Sequence, residues 1–136
     1  MNPHYNQNYT REEIENFLFT MKETIKSGRF LISMNENRQE NIDFINEYNI
    51  YPKKRETILM QISVDDFCHT LQNMRKGYEN EVLYVFAPQI ELTNALGNQE
   101  LVDMYTKFNL IESSKGSRTI VISFHKCNRP ISYLFR

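Results

Sequence analysis

The sequence predicts an α+β domain whose N-terminal helices pack on a mostly antiparallel β-sheet. Three observations carry this. Capping signals and helical spacing dominate the chain up to Gln61, strand texture takes over from Glu81, and the last third holds two alternating runs joined by a short turn. Helices segregated ahead of such strands cover one face of the sheet and bury its apolar side.

The first nine residues, with Asn, Tyr and a Pro, predict a flexible N-terminal arm, leaving 10–136 as a single domain. Thr10-Arg11-Glu12-Glu13 is a capping box, and Ile14, Phe17, Leu18, Met21 and Ile25 recur at helical spacing until Gly28 closes the helix. Arg29 to Met34 is a short strand or an extended connection. Asn37-Arg38-Gln39-Glu40 opens a second helix through Ile42, Ile45 and Tyr48, ended near Asn49. Pro52 suits the first turn of a third helix running to Gln61. Ser63-Val64-Asp65-Asp66 reads as the cap of a short fourth helix carrying Phe67, Leu71 and Met74, with His69 on its side.

Glu81 to Gln89, rich in Val, Tyr and Phe, is a strand ending at Pro88, followed by an irregular link around Asn94 to Asn98. Met104–Phe108 and Thr119–Lys126 then form a hairpin around Ser113–Ser117, and the tail from Pro130 to Phe135 suits a short edge strand. Because side chains alternate, Met104, Phe108, Leu110, Ile120, Ile122 and Phe124 are expected to share the core face. With that loop, Glu112 opposes Arg118, Lys107 opposes Ser123 and Tyr105 opposes His125. A phenol, an ammonium and an imidazole are thus gathered on the other face, which on residue types alone also suits an ordinary solvated sheet surface.

Composition bounds the function. The 136 residues, 40% hydrophobic and 24% charged, fit one folded domain, and no apolar run reaches the length of a membrane span. Without a secretory signal at its start, and with two cysteines, Cys68 and Cys127, too far apart for metal-ligand spacing, the chain is expected in the cytoplasm without metal or cofactor. The net charge of −1 hides an asymmetry: residues 1–103 hold ten Lys or Arg against sixteen Asp or Glu, and residues 104–136 hold six against one. The basic third can attract phosphates.

No Walker loop, dinucleotide fingerprint or serine-hydrolase elbow is present, and Asp65-Asp66 reads as a structural cap. The remaining His, Tyr and Lys residues suit metal-free cleavage of RNA. That reaction requires a base for the 2′-OH, a cation for the phosphorane-like transition state and an acid for the leaving 5′-oxygen.

The order of pieces resembles the MqsR-like toxins of bacterial type II toxin-antitoxin systems, which share the RelE-type ribonuclease fold. The resemblance runs from about Thr10 to Phe135. It is carried by Thr-Arg-Glu-Glu-Ile-Glu at 10–15, Ser-Gly-Arg-Phe at 27–30, Ile-Asp-Phe-Ile at 42–45 and Ser-Val-Asp-Asp-Phe at 63–67. Further on come Tyr-Val-Phe at 84–86, Met-Tyr-Thr-Lys at 104–107 and Val-Ile-Ser-Phe-His at 121–125, with Arg129-Pro130-Ile131-Ser132-Tyr133. It implies a RelE-like fold and a metal-independent endoribonuclease that cuts mRNA, free or on the ribosome, and is silenced by a cognate antitoxin protein.

Residue by residue, the resemblance implies catalytic roles for Tyr105 and for His125 and His69 at the family's basic positions, with Lys107 matching the lysine beyond the strand tyrosine. Lys126 and Arg129 are expected to hold flanking RNA phosphates. A reading of a different class is a non-catalytic, mobile-element-encoded inhibitor that blocks a nucleic-acid-processing complex with its charged surface.

Overall fold

In the computed structural model, which describes residues 5–136, the capping box at Thr10 forms as the sequence predicts. Thr10 Oγ1 accepts the Glu13 N–H at 3.1 Å and Glu13 Oε1 accepts the Thr10 N–H at 2.8 Å. This starts helix α1 (Arg11–Lys26), which buries Ile14, Phe17, Leu18, Met21 and Ile25 on one stripe. Gly28, at φ 75°, ends it: the Gly28 and Arg29 N–H groups turn back to the carbonyls of Ile25 and Thr24 at 3.1 and 2.8 Å. Strand β1 (Phe30–Ile32), helix α2 (Gln39–Glu47) and helix α3 (Pro52–Gln61, with Pro at the first turn) follow.

The chain from Phe67 onward corrects the sequence reading. Ser63–Asp66 caps only a single 3₁₀ turn, and Phe67–Gln72 is strand β2, so His69 sits on a strand and not on a helix. Phe67, Cys68, His69 and Thr70 are all buried, a consecutive run that belongs to a strand covered on both faces and that a one-sided helix cannot accommodate. After β3 (Val82–Phe86), the predicted irregular link is a hairpin turn. Strand β4 (Gln89–Thr93) pairs with the start of β5 (Gln99–Ser113) across Asn94–Asn98, where Asn94 Oδ1 accepts the Leu96 and Asn98 N–H groups.

The main sheet has the order β1-β6-β5-β3-β2, with β6 spanning Gly116–Lys126. β1 runs parallel to β6, and the β6-β5-β3-β2 pairs are antiparallel. The fold is α+β with a mixed, mainly antiparallel sheet. α1 and α2 pack on β6 and α1 also packs on α3, enclosing Phe44, Ile58, Leu59, Phe86, Phe108 and Phe124.

The β5-β6 hairpin turns more tightly than expected, over Ser114-Lys115, so Glu112 opposes Ser117 in place of Arg118. A bulge between Lys107 and Phe108 then restores the expected pairs, Lys107 with Ser123 and Tyr105 with His125. From the tip to the bulge the alternation is inverted on β6 alone, while Phe108 and Leu110 of β5 keep the expected core side. Val121 pairs with Phe108 and enters the core, whereas Ile120 and Ile122, expected there, face the other side.

The two termini also differ from expectation. Residues 1–4 of the predicted arm lie outside the described residues. Residues 5–9 are held rather than loose: Asn6 exchanges two backbone hydrogen bonds with Thr70 of β2, at 3.0 and 2.9 Å, and Gln7 Nε2 donates to the Cys68 carbonyl at 2.8 Å. The tail from Pro130 forms no strand. It crosses the helix-free face, where Tyr133 Oη donates to the Ala87 carbonyl at 2.6 Å, and ends with Arg136 on Asp66 at 2.8 Å.

Candidate functional site

The helix-free face of the sheet brings the predicted residues together. His69, Val85, Lys107 and Ser123 are successive partners across β2, β3, β5 and β6, which aligns them in one row on one face. In the next row Tyr105 pairs with His125, and their rings stack at 5.6 Å between centroids. Arg129 arrives from the tail and lays its guanidinium 4.8 Å over the Tyr105 ring.

The cluster is deeply set. Tyr105 is 1% exposed, His69 2% and His125 6%; Cys127, Ile131 and Tyr133 pack over Cys68, Val85, Ala87 and Tyr105, and the Tyr5 ring stacks on His69. Among the described residues, the only buried side-chain polar atoms without a hydrogen-bond partner are His69 Nε2 and Tyr105 Oη. Buried polar groups in folded proteins are normally paired, so these two unpaired atoms on one face make it the candidate site.

Charge follows the same geometry. Burial, reinforced by Arg129 and Lys107, pushes the His69 imidazole down to about 4, so it is neutral near pH 7. Burial also raises the Tyr105 phenol to about 12, and Arg129 opposes that rise. The Lys107 ammonium is held below its usual range by burial and by the neighbouring cations Arg38 and Arg129. His125 Nδ1 lies 2.8 Å from the Lys126 carbonyl oxygen, which requires the ring proton on Nδ1 and leaves Nε2 for proton exchange. The Glu40 carboxylate lies 3.8 Å from the same nitrogen.

Beside this cluster the uncovered half of the face forms an open cavity of about 940 Å³. Its floor includes Leu83, Lys107, Asn109 and Ile122, and its charged lining is Arg38, Arg75, Lys107 and Arg129 against Glu81 alone. That carboxylate is already occupied, accepting from Asn73 at 3.0 Å and from Asn109 at 2.9 Å. A chain of net charge −1 thus has a concave surface with four cations and one engaged acid.

Lys126 does not join this group. It projects to the helical side, where its ammonium pairs with Glu47 at 2.8 Å and lies over the Tyr48 ring, contacts that raise its pKa above the usual lysine range. The sequence reading missed Arg38, Arg75 and Tyr5. The two arginines lie in segments read as a helix cap and a helix end, and Tyr5 in a segment read as a loose arm. Among the described residues no group of His, Cys, Asp and Glu is arranged to hold a metal ion, and no helix is long and apolar enough to cross a membrane. Compared with protein-family models, curated proteins and solved structures, the chain matches none.

Proposed function

We propose that this protein is a metal-independent endoribonuclease of the MqsR-like toxin type, with a RelE-like fold, that binds single-stranded RNA along the cavity and cuts it beside Lys107. The observation that carries the reading is the placement of Lys107, Tyr105, His69 and His125 on one sheet face, with Arg129 laid over the Tyr105 ring. A phosphate between Lys107 and Arg129 relieves the mutual repulsion of the two cations, and the apolar floor beside it accepts a base.

The two histidines make different contacts. Neutral His69 has a free lone pair and serves as the base that takes the 2′-OH proton. The 2′-oxygen then attacks phosphorus, Lys107 stabilises the charge on the pentacoordinate phosphorane, and the P–O5′ bond breaks. The acid step draws on His125 as the doubly protonated imidazolium: Nδ1–H stays on the Lys126 carbonyl and the Nε2 proton passes to the leaving 5′-oxygen, yielding a 2′,3′-cyclic phosphate and a 5′-hydroxyl. Tyr105 Oη positions a non-bridging oxygen. Arg129 moves from the Tyr105 ring onto the phosphate as RNA enters. Lys126 has no role in this scheme.

A cognate antitoxin is the expected partner, and β1 supports this: it is a three-residue edge strand whose Leu31 is exposed, a template for strand addition in a cytoplasmic toxin-antitoxin complex.

The burial of Tyr105, His69 and His125 favours a second reading, in which the basic cavity binds and blocks without chemistry. One experiment separates them: mixed-sequence RNA incubated with purified protein in EDTA, with and without ribosomes, wild type against His125→Gln. Cleavage lost in the folded variant supports the nuclease. Intact RNA with folded wild type in both conditions rejects it in favour of the binding protein.

A further inference from the structure

Tyr5 stacks on His69 more closely than any other aromatic pair in the described chain, with ring centroids 3.7 Å apart and planes within 7°. That is the geometry of a nucleobase on an aromatic platform, with flat faces in van der Waals contact. The platform is fixed: His69 lies on β2 between β3 and the backbone of Asn6, and it is 2% exposed. The cover is attached differently. Tyr5 is half-buried, lines the same cavity as Lys107 and Arg129, and sits just before the two backbone hydrogen bonds that tie Asn6 to Thr70. A swing of Tyr5 away from His69 leaves those two bonds intact.

We propose that Tyr5 is an internal plug that occupies, on the face of His69, the place of an unpaired nucleobase of the bound RNA. The inference rests on the RNA-binding reading above and adds a base subsite to its phosphate site. RNA entry exchanges one stack for another: the Tyr5 ring leaves, a base takes its position, and the phosphate beside that base reaches Lys107 and Arg129. Stacking is tolerant of base identity, so the subsite gives affinity with little sequence preference.

The test uses fluorescence anisotropy with a short labelled RNA, 2′-O-methylated throughout so that it cannot be cut, and an abasic oligomer of the same length. Tyr5→Ala is expected to tighten binding of the base-containing RNA by about fivefold or more, the low end of one lost competing stack. Binding of the abasic oligomer stays unchanged, and Tyr5→Phe, which retains the ring, behaves as wild type. RNA bound by wild type but no more tightly by folded Tyr5→Ala overturns the plug and leaves the RNA-binding reading standing. No RNA binding by any of the proteins overturns both. Should Tyr5→Ala fail to fold, 2-aminopurine scanned through the RNA decides with wild type alone: quenching at one position supports a base subsite, and quenching at none overturns it.

Discussion

Asn41 of α2 holds Phe124 of β6 in place: its side-chain oxygen accepts the Phe124 N–H at 2.8 Å, while its amide nitrogen donates to the Ile122 and Ser33 carbonyls at 3.0 and 2.9 Å. These bonds occupy backbone groups around Ile122, where the bulge leaves the ladder incomplete, and Asn41 itself is fully enclosed. Replacing it by Leu strands buried donors and acceptors at once, so Asn41→Leu is expected to cost about 2–4 kcal/mol. Urea denaturation of the variant checks this. A loss well under 1 kcal/mol would show that water or a relaxed register takes over the role.

Tyr105 separates stability from activity. Its hydroxyl is buried and has no partner among the described residues, so Tyr105→Phe removes an unpaired polar group without changing shape. The variant is expected to be as stable as wild type, or more stable by about 1 kcal/mol. RNA cleavage should fall at least about tenfold if the hydroxyl orients the phosphate. A thermal melt and a cleavage time course on the same sample read both quantities; unchanged cleavage removes Tyr105 from the site.

The two sides of the sheet make opposite predictions for their cations. Lys107→Ala and Arg129→Ala are each expected to weaken RNA binding and to lower the slope of log affinity against log salt by about 0.7, the value per phosphate contact on a single strand. Lys126→Ala, whose partners are Glu47 and Tyr48, should leave both quantities unchanged and cost less than about 1 kcal/mol of stability, as an exposed ion pair does. Titrations at several salt concentrations distinguish the three. A salt effect from Lys126→Ala equal to the others would place RNA on the helical side.

His69 makes stability depend on pH. The folded imidazole titrates near 4 and the unfolded one at its ordinary 6.5, so between these values the unfolded chain binds a proton that the folded chain refuses. Stability from this group is therefore fully present above pH 6.5, falls as pH drops, and stops falling near pH 4. The whole effect is at most about 3 kcal/mol. His69→Gln should flatten that part of the profile. An unchanged pH profile in the variant would mean that His69 is solvated.

How much of this was legible in the sequence depended on how local the cause was. The capping box at Thr10 and the Gly28 stop are determined within a few residues, and α1 forms where they place it. The pairing of Tyr105 with His125 was also legible, though by compensation. The turn is tighter than the alternation suggested, and the extra residue of the bulge restores the count. The bulge itself was not visible, because it is held from Asn41, more than eighty residues away in sequence. β2 was misread because Asp66 caps a turn whatever follows it, and strand formation at Phe67 depends on β3 and on the Asn6 backbone. The tail over Tyr105 and the ring of Tyr5 on His69 are tertiary contacts with no periodic signal.

The bulge at Ile122 also divides the long hairpin mechanically. Toward the sheet centre, the register is pinned by Asn41 and by the Tyr105–His125 stack; toward the tip, Ser114-Lys115 projects into solvent with both residues exposed. Loop length at the tip and alignment at the site are therefore set by separate contacts. A fluorophore or a short epitope inserted between Ser114 and Lys115 can report on RNA or partner binding from a fixed mast while leaving the residues beneath it undisturbed.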